Sequence, residues 1–486
     1  MTTPLQAAHD AFIAHEEAHD LWSLTAYGRR YWHFVRYEVF GWLMQAMELQ
    51  GRRHGGYADK PLREKLAIHP RRWPATLRRS HWRDLRPVDL VVFPHPRHVP
   101  SDGSWVCPYT APLVAGLPHR RYVVKDLYEG RHPHPLVDAD LRYIEWARRA
   151  AELGFMATDA WRGAWLTKAD RATCDAWVTD LERAFGVALD HDKVFRYLRK
   201  SIRNDLTLEK VYHRLFDKTR PRAAVCAVHY THRNLAMTRV AKARGIPVVE
   251  VQHGFFGASH LAYNVAPGRH PESFPDYLTV FGDFWRENTP GLPLPPERTP
   301  AIGFAWLERE RARATPDAPD ATRKTVLFVS QGTVAEALSE AAVGLSQRLD
   351  PARWRIRFKH HPSDLSGWRE RYPALAASSV EVIERPLGIY DAFAAADAQV
   401  GVYSTAVYEG LAFGLRTCVL AVPGHEGMLP LVEAGVVAKC ADADELAAAL
   451  ESDTKPSPAQ LDRIWRPGAV GRFRDFVTEL IGPPAR

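Results

Sequence analysis

Apolar residues fall along this chain in two rhythms. Short runs rich in Val, Ile, Ala and aromatics alternate with longer stretches that carry apolar residues at helical spacing. "VDLVVFPHP" (88–96) predicts a strand entering a loop, and "RAAVCAVHY" (222–230) predicts another strand. "THRNLAMTRVAKARG" (231–245) predicts a helix, stopped by Gly245 with Pro247 just beyond. "IPVVEVQ" (246–252) and "DYLTVFG" (276–282) return to strand. Strand, helix and strand within about thirty residues is a βαβ unit, which requires parallel strands. A proline-rich linker spans 288–300, and then the rhythm repeats. "TVLFVSQG", "WRIRFKHHP", "VEVIERP", "AQVGVYS" and "RTCVLAV" predict strands. Between them lie helical runs, among them "TVAEALSEAAVGLSQRL", opened by a Thr333–Glu336 capping box, "YDAFAAAD" and "AVYEGLAFG".

The expected fold class is therefore α/β: two Rossmann-like, doubly wound domains facing a cleft, behind a helical N-terminal extension. The expected boundaries are 1–75 for the extension, 76–298 for an acceptor domain and 299–465 for a nucleotide-binding domain. A last helix, 466–486, is expected to cross back to the N-terminal domain.

A length of 486 residues suits two domains, and 46% hydrophobic with 25% charged residues is globular composition. The five cysteines are scattered, odd in number and without a CxxC pair, which points to a reducing compartment and away from disulfides or a zinc ribbon. No secretory leader and no spanning apolar window is visible, so the expected location is cytoplasmic. The net charge of +7 suits an anionic partner: a nucleotide or a phospholipid surface. Nucleic acid is set aside, because no zinc-finger spacing or RNA-binding signature is present. Within 21–50, Arg29, Arg30 and Arg36 stand among Tyr31, Trp32, Phe34, Tyr37 and Trp42. Such a helix can lie on the inner face of the cytoplasmic membrane, or simply pack on a domain.

In open parallel sheets ligands bind beyond the carboxyl ends of the strands. In the second half those positions hold Ser330, Gly332 and Thr333, then Lys359, His361 and Pro362, then Ser404 and Thr405 with Glu409 one turn on. Hydroxyl residues at helix starts suit a phosphate, although each is also an ordinary cap. Glu409 is placed to reach a ribose hydroxyl pair or, alternatively, solvent. In the first half "VVEVQHGFFGASH" (248–260) delivers Gln252 and His253 to a strand end. Gly254 is expected to allow a sharp exit with φ > 0. An imidazole there can take a proton from an acceptor hydroxyl, or hydrogen-bond a departing phosphate; otherwise it is a buried structural histidine. "HEEAH" (15–19) formally matches a zinc motif, but lacks a third ligand and the flanking sheet, and is read as a polar helical face. His132 and His134 in "GRHPHPL" are read as an acceptor-side loop and not a metal site.

"GVYSTAVYEGLAFGLRTCVL" resembles the nucleotide-binding signature of GT-B glycosyltransferases. "RFKHHPSD" is similar to the K-x-H-P motif of bacterial capsule and teichoic-acid transferases: the polysialyl, Kdo and CDP-glycerol glycerophosphotransferase types. "ARGIPVVEVQHGFFGASHLAYN" with "FPDYLTVFGDFW" resembles their Q-H-G segment, so the likeness covers roughly 222–440. It implies a metal-independent GT-B glycosyltransferase without cofactor. Such an enzyme moves a sugar from a CMP- or NDP-linked donor to a surface glycan or lipid-linked acceptor. It further implies that His361 and Pro362 contact the nucleotide, with Ser330, Gly332, Thr333 and Lys359 beside them. Ser404 and Thr405 would hold its phosphate, Glu409 its ribose, and His253 would face the reaction centre. Gln252, His260 and Tyr263 become acceptor-side residues, and Glu129 in "LYEGRH" the nearest match to the family's acidic base. Gly410 departs from the pattern, which has alanine there. Alternatives are a non-hydrolysing sugar-nucleotide epimerase, a CDP-polyol phosphotransferase and a catalytically silent glycan- or nucleotide-binding subunit.

Overall fold

The computed structural model describes residues 3–49, 82, 84–125, 140–162, 166–332, 334–361, 364–384, 387–452 and 455–484. Its contacts divide the chain into two compact units. One holds 1–280, 289–302 and 470–486, and the other holds 281–288 and 303–469.

The first unit is built on six strands: β1 (Leu90–Phe93), β2 (Arg121–Lys125), β3 (Leu141–Tyr143), β4 (Ala223–Ala227), β5 (Val248–Val251) and β6 (Tyr277–Thr279). Their spatial order is β3-β2-β1-β4-β5-β6, and every pair is parallel. Strands β1, β4 and β5 are buried along their whole length, β1 and β4 as unbroken apolar runs and β5 as an apolar run interrupted by one residue. The helix between β4 and β5, α6 (His232–Ala243), is capped by Thr231 and ends at Gly245, whose φ is +68°.

Earlier in the chain come the longer helices α1 (Pro4–Ala18), α2 (Trp32–Ala46), α3 (Glu145–Arg162), α4 (Lys168–Phe185) and the 29-residue α5 (His191–Thr219). The N-terminal stretch is less helical than its spacing predicts, because a short hairpin pairs Thr25–Ala26 with Arg29–Arg30 before α2 starts. The aromatics of α2 do not face outward: Trp32, Phe34 and Phe40 lie in a core shared with α1, α4 and α5, with Tyr37 and Trp42 packed against it. Expectations on 50–75 lie outside the described residues.

The second unit repeats the plan with β7 (Lys324–Val329), β8 (Trp354–Lys359), β9 (Glu381–Val382), β10 (Ala398–Gly401), β11 (Arg416–Leu420) and β12 (Ala438–Cys440). The order is β9-β8-β7-β10-β11-β12, again all parallel. Both sheets thus reverse direction at the same step, between their first and fourth strands, as doubly wound sheets do. Two such sheets in one chain are the α/β, Rossmann-like composition of the GT-B class. The helix after β7, α7 (Ala335–Ser346), has Val334 at its cap and no side-chain cap. Thr333, and with it the expected capping box, lies outside the described residues. The closing segment of this unit passes so near Gly282 and Gly303 that a Cβ would lie 2.1 Å from the Arg463 carbonyl oxygen and 2.0 Å from that of Arg466. All five cysteines are buried thiols. Among the described residues no helix is long and apolar enough to cross a membrane.

Candidate functional site

Strand β5 carries a carboxylate where its neighbours are apolar. Glu250 has 0% exposure and lies in the middle of Val248–Val251. Its charge is met by donors from two loops. The His229 backbone N–H and Nδ1 approach it at 3.0 and 2.6 Å, and the Tyr263 hydroxyl donates to it at 2.9 Å. Burial alone would raise the pKa of this carboxyl; the charge and hydrogen bonds of His229 outweigh that and hold it below the usual value. The Tyr263 hydroxyl, buried against that carboxylate, is pushed well above its ordinary pKa and keeps its proton.

Tyr263 in turn sits 3.4 Å from His253 Nδ1, and Tyr230 sits 3.2 Å from Nε2. Since the Tyr263 proton goes to Glu250, its oxygen is free to accept from Nδ1–H. This fixes one tautomer, with the lone pair on Nε2 facing the Tyr230 hydroxyl. Burial drives the His253 pKa down to about 3, against the pull of Glu250, so the imidazole is neutral near pH 7. Glu250 Oε1 lies 3.7 Å from Nδ1 and is the counter-ion available if the ring takes a proton. His95 stacks on His253 at 5.6 Å between centroids, and Tyr109 meets its edge at 6.1 Å. His260 packs near Tyr230 and Tyr263. Loops following β1, β4 and β5 therefore converge on one ring.

Two local devices hold this arrangement. Val228, directly before His229, has φ +67°, a conformation costly for a β-branched residue. The Asn234 side-chain amide donates to the carbonyls of Ala227 and Val228, both at 3.0 Å, and pins that turn. Behind Tyr263, the Arg36 guanidinium donates to the carbonyls of Leu261 at 2.8 Å and Asn264 at 3.2 Å. Arg36 is itself held by Glu16 through two bonds of 2.7 Å, and Trp32 Nε1 donates to the same carboxylate. Glu16 is thus no member of a polar surface face: it is 1% exposed and fully engaged. His15 and His19 of that segment stack at 4.0 Å. Among the described residues no His/Cys/Asp/Glu group is arranged to hold a metal.

The expectation for Gly254 fails, because it is not among the glycines with positive φ. The exit from β5 is closed instead by Gln252, whose side chain donates to the Gly254 carbonyl at 2.9 Å. Gln252 and Tyr263 are each 1% exposed, and they support the turn and the histidine from behind. Glu129, His132 and His134 lie outside the described residues. Sequence reasoning missed Glu250, His229, Tyr230, His95 and Tyr109. The signal was an acidic residue inside an apolar run, and chemistry-bearing residues just past β1 and β4.

In the second unit the predicted residues gather on three neighbouring strands. Ser330 and Gly332 follow β7, Lys359 ends β8 with His361 two residues on, and Ser404 and Thr405 follow β10. Ser330 N–H donates to the Lys359 carbonyl at 3.0 Å, tying the first two loops together. The Ser330 hydroxyl is buried without a partner. Burial lowers the Lys359 pKa. His360 is buried with neither ring nitrogen hydrogen-bonded, against Phe358, Trp368 and Tyr372. Ser404 caps the helix Thr405–Leu411 by accepting from Ala406 N–H at 3.1 Å. Glu409 is half-buried on that helix. The departure at Gly410 has a steric cause: a Cβ there would lie 2.2 Å from Gln399 Oε1, and Gln399 is buried in β10 with bonds to Val407 and Thr417. Thr333 and Pro362 lie outside the described residues.

No protein-family model matches the chain, and no curated protein matches it. Among solved structures, the glycotransferase of kitacinnamycin is similar at 16% identity, over 82% of this chain and 100% of its own, with a TM-score of 0.44. The UDP-GlcNAc 2-epimerase from Methanocaldococcus jannaschii is similar at 13% identity, over 81% and 98%, with a TM-score of 0.45. The calicheamicin glycosyltransferase is similar at 15% identity, over 83% and 96%, with a TM-score of 0.42. At these values the likeness adds nothing to the two sheets, whose strand order carries the fold by itself.

Proposed function

We propose that the protein is a glycosyltransferase that uses a nucleotide-linked sugar donor. The observation that carries the reading is the buried chain Glu250–Tyr263–His253 at the carboxyl edge of β5. It presents a neutral imidazole with a fixed tautomer and a counter-ion in place. In this reading the acceptor hydroxyl takes the position of the Tyr230 hydroxyl at Nε2 and gives up its proton as its oxygen attacks the anomeric carbon. The proton stays on the ring, stabilised by Glu250, while the nucleotide departs with the bonding electrons. The second unit would hold the nucleotide at the loops after β7, β8 and β10. Lys359 and His361 would lie near the phosphates, Ser404 and Thr405 would donate to them, and Glu409 would reach the ribose. The donor class is a CMP- or NDP-sugar, and the acceptor a surface glycan or lipid-linked glycan at the membrane face.

The test is a thermal-shift panel with CMP, CDP, UDP and GDP, followed by donor-consumption assays with the nucleotide that binds. A ligand that prefers the folded form raises the melting temperature. His253→Ala should retain the shift and lose turnover. Conversion of the donor to an epimer without acceptor would favour the epimerase. Stabilisation by none of the four nucleotides would remove the reading.

A further inference from the structure

The transfer reading leaves one face of α5 unused. This helix packs Val194, Leu198 and Ile202 into the core it shares with α1, α2 and α4. On its other side Arg196, Arg199, Lys200 and Arg203 are exposed. At 3.6 residues per turn the four fall within an arc of about 100°. They flank a shallow groove whose described lining is these four side chains, with about 140 Å³ open to water.

Like charges three and four residues apart repel one another along a helix. A helix can relieve such a row with its own carboxylates, and α5 has Asp192, Asp205, Glu209 and Asp217. Each of these is engaged by an arginine of another element. Asp192 pairs with Arg171, Asp205 with Arg239, Glu209 with Arg29 and Arg239, and Asp217 with Arg244. Among the described residues, the ion pair that reaches the row is Arg196–Asp190, at 4.0 Å between two exposed groups. Such a pair neutralises little.

The apolar side of α5 is committed to the core, so the exposed side meets a partner by charge and not by insertion. No aromatic stands in the row: Phe195 and Tyr197 pack against the core, whereas single-stranded nucleic acid is held on stacking faces. A straight row of cations on a rigid element suits a plane of anionic headgroups. Its position agrees with this. The Tyr197 hydroxyl bonds His232 at 2.8 Å, and the Lys200 charge acts on the same ring. His232 opens α6 two residues after Tyr230, so the row runs beside the sheet end that carries the candidate site.

We propose that the exposed face of α5 docks the protein on an anionic phospholipid bilayer, with Arg196, Arg199, Lys200 and Arg203 against the headgroup phosphates. The proposal names where a lipid-linked acceptor is met, and rests on the transfer reading for that acceptor alone. Vesicle binding needs neither nucleotide nor turnover, so its failure and a failure of the nucleotide panel are separate results.

The experiment sediments the full chain with vesicles of phosphatidylcholine alone and of an equal mixture with phosphatidylglycerol. Binding to the mixture only is expected. It should be lost as ionic strength rises from about 0.1 M to about 1 M, where the screening length shrinks from about 10 Å to about 3 Å. The variant Arg196→Gln/Arg199→Gln/Lys200→Gln/Arg203→Gln should bind at least about 10²-fold more weakly, with an unchanged melting temperature. A second variant, Arg311→Gln/Lys324→Gln/Arg353→Gln/Lys439→Gln, removes the same charge from exposed positions of the other unit and should bind as wild type. Should the first variant fail to fold, Arg199→Gln/Arg203→Gln decides, with a loss of about tenfold or more. Equal weakening in the two quadruple variants shows that net charge and not this face drives binding, and overturns the proposal. So does absence of binding to the mixture, equal binding to both vesicles, or tighter binding to a duplex oligonucleotide than to the mixture.

Discussion

A carboxylate with no exposure, set in the middle of a parallel strand, must be answered by donors or the strand around it becomes unstable. Glu250 is answered by His229 twice and by Tyr263 once, and the last of these bonds dictates how His253 presents its nitrogen atoms. Geometry and charge therefore make separate predictions. In His253→Ala, turnover should fall by about 10²–10⁴, the usual worth of a general base, with the nucleotide-induced thermal shift intact. Glu250→Gln keeps an acceptor for Tyr263 but removes the counter-ion, so kcat should fall with little change in KM. A change confined to KM would give Glu250 a binding role instead. The pH profile adds a third check. An ordinary histidine base gives an acidic limb near pH 6.5. His253, held down to about 3, should leave kcat/KM flat from neutrality to pH 5. A limb near 6.5 that vanishes in a His253 variant would contradict the buried, neutral imidazole.

At the scale of elements, the N-terminal helices act as a brace. Glu16 on α1 holds Arg36 on α2, and Arg36 holds the 261–264 turn that carries Tyr263. Removing one partner of a buried pair strands the other charge, so Glu16→Ala should destabilise the first unit by about 3–5 kcal/mol. The double variant Glu16→Ala/Arg36→Met should recover part of that loss, and denaturant melts of the three proteins measure it. If the double variant is no more stable than the single one, Arg36 is not the stranded charge. Asn234→Ala removes two bonds at the strained Val228 turn and should cost about 1–3 kcal/mol. The strands and the helix between β4 and β5 were legible because an unbroken apolar run or a 3.6-residue period is a local property. The brace was not legible: Arg36 finds its partners at residues 16, 261 and 264, and nothing near it in sequence announces them. His253 could be singled out as a residue past a strand end. Its relay could not, since Tyr263 returns to Glu250 only after the intervening loop has folded.

For the whole molecule, the titrating groups divide unequally between the two units. In the first, burial lowers the pKa of His33, His98 and His253 to about 3, and of His95 and His232 to about 4, with His9 and His15 also lowered. The second unit holds one such residue, His360. A histidine whose folded pKa is depressed binds its proton more readily when unfolded, so stability rises with pH between the two values. That stability is fully present above about 6.5, the unfolded value, and drains as pH falls toward 4 and 3. Among the described groups that ordinarily titrate below pH 7, two of the first unit act in the opposite sense. Asp205 is raised by burial, and in the half-buried His191 the pull of Asp175 and Glu182 outweighs burial. Asp320 and Asp444 of the second unit are lowered, and their contribution is lost only below about pH 4. Acidification from pH 7 to 5 should therefore lower the melting transition of the first unit and leave that of the second nearly in place. Scanning calorimetry at stepped pH detects the split. Hydrogen-exchange mass spectrometry, corrected for the intrinsic pH dependence of exchange, assigns it, with protection lost first around β1, β4 and β5. Equal retreat of both transitions, or earlier loss in 324–440, would show that the buried histidines do not govern the acid response.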